Sequence, residues 1–78
     1  MKDPQLAEKL RAGAWSEIRN AARERGVLAT DIAETVVEEA HDRLESGDQN
    51  GADAVLLHAV HEGIRPNDLF TSIRKRYQ

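Results

Sequence analysis

The residues best suited to metal binding or catalysis are two histidines in the last third of the chain. His58 and His61 are three residues apart, and Glu62 follows directly. Two imidazoles on one helix face can ligate a metal at this spacing. The third histidine, His41, falls on a different predicted helix, and the pattern differs from the histidine–glutamate–two residues–histidine pattern of metalloproteases. We therefore expect surface histidines, with no bound metal or other cofactor.

Other catalytic arrangements are missing from the sequence. The chain has no cysteine and no glycine-rich phosphate loop, and Ser16, Ser46 and Ser72 lie in no nucleophile motif. Its carboxylate pairs lie along one predicted helix, whereas an acid–base pair needs two different environments that separate the pKa values. A chain of 78 residues also has little room to enclose a pocket of roughly 300–1,000 Å³. The sequence predicts a protein that is not an enzyme and has no small-molecule substrate.

The elements that position these residues are helices. Apolar residues recur at helical spacing four times, and no alternating strand pattern appears. The prediction is a single all-α domain over residues 1–78, a compact four-helix fold with helices at about 4–25, 31–46, 52–62 and 66–77. Gly13 lies inside the first of these helices and marks either close helix contact or a break that divides it.

Three features define the predicted ends and centre of this fold. Asp31 and Glu34 have the spacing of a capping box at the start of the second helix. Gly63 followed by Ile64 is typical of a Schellman stop. The helix at 52–62 is apolar over more than half its circumference, which predicts that it is the central helix.

The apolar residues are small, and this bears on stability. Alanine supplies 11 of them, and the aromatic residues are Trp15, Phe70 and Tyr77 alone. Domains below about 70–80 residues rarely gain more than roughly 3–5 kcal/mol from one core. Self-association is a common remedy, so we expect a homodimer that completes the fold.

The acidic residues are concentrated on the second predicted helix. Residues 31–48 contain seven acids and one base, Arg43, a net charge of −6. This face is either solvated surface or a docking surface for a basic partner protein. If it docks a partner, charge reversal at Glu34, Glu38 and Asp42 should abolish binding and leave thermal stability unchanged or raised. The predicted partner-binding residues are Asp31, Glu34, Glu38, Asp42 and Glu45, with Glu39 on the same side.

The last two helices have the lengths of a weak helix-turn-helix, whose second helix would lie in the major groove. Asn67 can hydrogen-bond adenine, but Asp68 beside it would repel phosphate. The chain has two basic groups, one late in the first predicted helix (Arg19, Arg23 and Arg25) and one at the end of the last (Arg74, Lys75 and Arg76). They are either cations that stabilise helix C-termini or, together, a phosphate-binding patch. The candidate nucleic-acid contacts are Asn67, Thr71, Arg74, Lys75, Arg76, Arg19 and Arg23.

Trp15 is a further candidate contact, one turn from both Arg11 and Arg19. It is expected to be a partly buried core residue with a cation–π contact, or alternatively an exposed interface anchor.

The charge and the N-terminal sequence limit the function further. The net charge is −3, which argues against a general nucleic-acid coat protein. No apolar run predicts a signal peptide or membrane span, so a cytoplasmic location is expected. The favoured function is a small regulatory or inhibitor-type protein that binds a basic protein surface. The alternatives are a DNA-binding regulator and a structural subunit of a larger assembly.

Overall fold

The computed structural model describes residues 4–77 and is all-helical over that range. This confirms the predicted all-α class, but there are five helices rather than four. They are α1 Pro4–Arg11, α2 Trp15–Arg25, α3 Ala29–Glu45, α4 Gln49–His61 and α5 Pro66–Arg76.

Gly13 divides the helix predicted over residues 4–25. Its φ is +69°, in the left-handed region that glycine adopts without a Cβ penalty. The Ala14 N–H donates to the Lys9 carbonyl at 2.9 Å, and the Gly13 N–H donates to the Leu10 carbonyl at 3.1 Å. These two bonds are those of a Schellman motif, which ends α1. The chain therefore changes direction, and Trp15 begins a separate helix.

Two helix starts differ from the prediction. α3 begins at Ala29, with Leu28 in the cap position and no side-chain capping bond. The Asp31–Glu34 capping box was wrong, because both residues lie inside the helix. α4 begins at Gln49 rather than near residue 52, because the Asp48 carboxylate accepts a hydrogen bond from the Gly51 N–H at 2.9 Å.

The predicted stop after α4 is confirmed. The Ile64 N–H donates to the Ala59 carbonyl at 3.0 Å, and the Gly63 N–H donates to the Val60 carbonyl at 3.1 Å. Ile64 is buried, as expected when the residue after a Schellman glycine packs onto the last turn.

The central helix is α3, which packs against α1, α4 and α5. The prediction that the helix at 52–62 is central was wrong: Leu57 on α4 is 62% exposed. Leu44, whose spacing from Val37 and Ala40 continues the apolar stripe of α3, is 50% exposed at the last turn of the helix. The buried residues of α3 lie around most of its circumference and are Ile32, Ala33, Thr35, Val36, Val37, Glu39 and Ala40.

Candidate interaction surfaces

The acidic face of α3, defined by Asp31, Glu34, Glu38, Asp42 and Glu45, is not uniformly exposed. Asp31, Asp42 and Glu45 are exposed, near the two ends of the helix. Glu34 and Glu38 are half-buried and line a small cleft that also contains Lys75 and Arg76 of α5. The acidic face therefore has two exposed ends and a middle that is next to cationic side chains of the same chain.

Glu39 does not belong to this exposed face. It is 4% exposed, and its carboxylate lies 3.6 Å from Arg11 Nη1 and 3.4 Å from Arg43 Nε. Arg43 also donates from Nη1 to the Gly51 carbonyl at 2.9 Å. A helical wheel places Glu39 beside the other acids, but α1 covers this side of α3. Glu39 thus links α1, α3 and the start of α4.

The basic groups predicted to form one patch lie near opposite ends of α5. Arg19 and Arg23 line a cleft with residues 62–64, which immediately precede α5. Arg19 also forms an ion pair with Glu62. Lys75 lies at the far end of α5, about 15 Å along an 11-residue helix. The two groups do not form one continuous cluster.

One face of α5 matches part of the helix-turn-helix prediction. Asn67, Thr71 and Arg74 are all exposed, and their spacing places them on the same side of the helix. The Thr71 hydroxyl donates to the backbone carbonyl of Asn67 at 2.8 Å. This bond does not use the Asn67 side chain. Asp68, the residue that would repel phosphate, is half-buried and lies 3.2 Å from Arg65 Nε.

Trp15 is a core residue and not an exposed anchor. It is 6% exposed, and its ring centroid lies 5.4 Å from that of His58. The neighbouring cations are engaged by carboxylates, Arg11 by Glu39 and Arg19 by Glu62. Trp15 therefore packs α2 against α4, where its ring lies against that of His58.

The histidines are distributed over the surface. His41 Nε2 lies 2.6 Å from Glu45, and its Nδ1 lies 2.7 Å from the Tyr77 hydroxyl oxygen, which connects α3 to the end of α5. His58 Nε2 lies 4.0 Å from Glu62. Within residues 4–77, no group of three or more histidine, aspartate or glutamate side chains is arranged to hold a metal ion.

An apolar groove between α4 and α5 was not anticipated. It has a volume of about 190 Å³, and the side chains at its rim are strongly exposed, Leu57 at 62%, Phe70 at 59% and Val60 at 41%. The signal in the sequence was the apolar arc of the helix at 52–62, which is wider than one packing contact requires. We call this surface the apolar groove; its lining residues are Leu56, Leu57, Val60, Pro66, Leu69, Phe70 and Ile73.

Comparison of the chain with family models, with curated proteins and with solved structures gave no match. Across the described residues, none of the helices combines the length and the apolar character that crossing a membrane requires.

Proposed function

We propose that this chain is a non-enzymatic protein-interaction module that binds a basic protein surface through the acidic face of α3. The observation that carries the proposal is the exposure of Asp31, Asp42 and Glu45 on one helix in a segment with net charge −6 over residues 31–48. Like charges at i, i+4 cost a few tenths of a kcal/mol per pair. Lys75 and Arg76 offset this cost at Glu34 and Glu38, so the exposed acids Asp31, Asp42 and Glu45 are the ones that carry the proposal.

The position of α3 supports this role. Its other sides are buried against α1, α4 and α5, so the backbone that carries the acidic side chains is held in place before a partner arrives. A preorganised surface loses less conformational entropy on binding than a mobile one. Electrostatic complementarity would then choose the partner and accelerate the encounter.

The test is capture of proteins from a host-cell extract by three immobilised forms of the chain. The first is wild type, and the second carries Asp42→Lys and Glu45→Lys at the C-terminal end of the acidic face. The third carries Glu17→Lys and Glu24→Lys, which change the net charge equally but lie exposed on α2. Mass spectrometry should find a basic protein bound to wild type and to the α2 variant, with at least tenfold less bound to the α3 variant.

Equal loss of captured protein in both variants would show that net charge, and not the acidic face, is responsible. Full retention by the α3 variant would contradict the proposal directly. Glu34 and Glu38 are unsuited to this test. Lysines at these positions would lie beside Lys75 and Arg76 and would lower stability, contrary to the expectation from the sequence.

A second candidate function is duplex DNA binding by α5. The observation that favours it is the exposed face of Asn67, Thr71 and Arg74. Under this hypothesis, Arg74→Ala should weaken binding to every sequence and reduce the salt slope by about one unit, because one phosphate contact is lost. Asn67→Ala should instead relax the sequence preference. A salt slope that does not change in Arg74→Ala would count against α5 as a DNA contact.

A further inference from the structure

Three of the six large hydrophobic side chains that are exposed in the described residues line the apolar groove. All seven lining residues are apolar. The exposed area of Leu57, Val60 and Phe70 amounts to a few hundred Å², the size at which an apolar patch usually has a binding role. α4 and α5 bury other residues in the core, namely Ala52, Val55 and Ala59 on α4 and Ser72 on α5, whereas Leu69 is buried and also lines the groove. Folding of the single chain therefore leaves this second apolar side uncovered.

We propose that the occupant of the apolar groove is a second copy of this chain, paired by a two-fold axis. The groove supplies both parts of a self-complementary contact. Phe70 and Leu57 project at its rim, and the space between the helices can receive the same side chains of the partner. In an isologous interface each such contact occurs twice. An interface of this composition resembles a folded core cut in half, as in obligate homodimers.

The charges around the groove fit the same arrangement. Asp53 is exposed on α4 one turn before Leu57, and Arg74 is exposed on α5 one turn after Phe70. When α4 of one copy crosses α5 of the other, an acidic side chain is brought toward a basic one on both sides of the axis. No charged residue lies among those that line the groove, so a highly charged partner segment has no counter-ion there.

The size of the chain also favours a second copy. Of the 15 apolar residues that are buried within the described range, five are alanine, namely Ala7, Ala33, Ala40, Ala52 and Ala59. A domain of this size with so small a core commonly gains stability by oligomerisation. A standard interface buries about 800 Å² on each partner. The apolar groove would form the core of such an interface, and exposed polar residues of α4 and α5 would form its rim.

The dimer uses a different surface from the acidic face of α3. Lys75 and Arg76 face Glu34 and Glu38, whereas Phe70 and Ile73 face α4 across the groove. A dimer formed through the groove would leave both acidic faces accessible, and the module would be bivalent. Avidity could then raise the apparent affinity for a repeated or dimeric partner without any new contact.

The test is sedimentation equilibrium of the full chain over a hundredfold range of concentration. Wild type should approach twice the 8.7 kDa mass of the chain at high concentration. Leu57→Glu and Phe70→Glu should each remain monomeric, with at least a hundredfold weaker association. The matched control is Leu28→Glu, because Leu28 is 63% exposed but lies outside the groove, and it should associate like wild type. Circular dichroism should show that all four proteins are equally helical.

A measurement without variants keeps the proposal independent of their folding. Amide resonances of ¹⁵N-labelled wild type, followed on dilution, should shift for residues of α4 and α5. Resonances that shift on α3 or α2 instead would overturn the proposal, as would association that survives both glutamate substitutions. A wild type that stays at 8.7 kDa at every concentration would also overturn it and would assign the groove to an apolar segment of another protein. Asp42→Lys with Glu45→Lys should leave the dimer intact, so failure of the acidic-face proposal and failure of this one give different results.

Discussion

At the scale of single residues, Glu39 is the most informative side chain. It is a nearly buried carboxylate between two arginines, Arg11 and Arg43, that come from different helices. Removing one partner from a buried ion pair is costly, because the remaining charges lose their counter-ion. The half-exposed Arg11 keeps contact with water, which reduces that cost.

Glu39→Ala should therefore lower the free energy of unfolding by about 2–3 kcal/mol. Glu39→Gln should cost about half as much, because the amide oxygen still accepts a hydrogen bond from Arg43. Urea denaturation monitored by circular dichroism measures both. Glu17→Ala, exposed on α2, serves as the control and should change stability by less than about 0.5 kcal/mol. An equally small effect of Glu39→Ala would mean that this carboxylate is solvated.

Glu39 also shows where sequence reasoning loses information. A helical wheel gives the direction of each side chain on α3 but not which neighbour covers it. Glu38 and Glu39 are adjacent in sequence, and both were expected on the acidic side. Only the packing of α1 on α3 distinguishes a half-exposed residue from a buried one. The same uncertainty applies to Trp15, whose burial depends on the break at Gly13.

At the scale of elements, the break at Gly13 gives a prediction. The direction of the stability change in Gly13→Ala distinguishes two helices from one continuous helix. Within a continuous helix, glycine to alanine stabilises by up to about 1 kcal/mol. Here the φ of Gly13 is +69° and a Cβ would meet no atom within 4 Å, so the effect is backbone strain alone. Gly13→Ala should destabilise by about 1–2 kcal/mol, a decrease in Tm of roughly 4–8 °C or more for a domain of this size. Gly13→Asn should cost less, since asparagine tolerates this conformation. A higher Tm for Gly13→Ala would show that residues 4–25 form one helix.

The cap of α4 provides a second prediction at this scale. Asp48→Ala removes the acceptor for the Gly51 N–H and should cost about 1 kcal/mol. Asp48→Asn should be nearly neutral. Asp31→Ala is the comparison, because Asp31 was predicted to be the cap of α3 but lies in the first turn of that helix, where a carboxylate contributes only about 0.3–1 kcal/mol through the helix dipole. Thermal melts of the three variants measure the difference, and an Asp31→Ala effect as large as that of Asp48→Ala would restore the capping-box prediction.

The helix pattern of the sequence was sufficient for class and approximate bounds, and insufficient for the arrangement. Gly26, Gly47 and Gly63 end helices where they were expected to. The choice of central helix was wrong because a wide apolar arc has two physical causes. One is contact with several helices of the same chain, and the other is contact with a second chain. Hydrophobic periodicity alone does not separate them.

At the scale of the whole molecule, dimerisation should raise the thermal stability of the chain. Anything that binds the folded state and not the unfolded chain stabilises it by mass action. The Tm of wild type should therefore rise by several °C over a hundredfold increase in protein concentration. Leu57→Glu should show a Tm that does not depend on concentration, whereas Leu28→Glu should behave like wild type. Differential scanning calorimetry measures this, and a constant Tm for wild type would contradict a dimer in this range.

The proposed dimer and the proposed DNA contact use the same side of α5. Phe70 lies on the apolar groove, and its helical neighbours Asn67 and Arg74 are the proposed DNA contacts. A second copy seated over Phe70 would restrict access of a DNA duplex to this side of α5. The basic groups at its two ends are also partly engaged within the chain, Arg19 by Glu62 and Lys75 beside Glu34 and Glu38. These contacts favour protein binding over nucleic-acid binding.

Our central proposal is that the macromolecule bound by this chain is a protein and not DNA. The most direct measurement is fluorescence anisotropy of labelled duplex DNA of mixed sequence, titrated with wild type at several salt concentrations. We expect no rise in anisotropy at micromolar protein even at low salt, because the chain has a net charge of −3 and Arg19, Lys75 and Arg76 lie beside carboxylates of the same chain. Binding that weakens steeply with salt would contradict the claim. It would show that α5 and its flanking arginines contact the phosphate backbone.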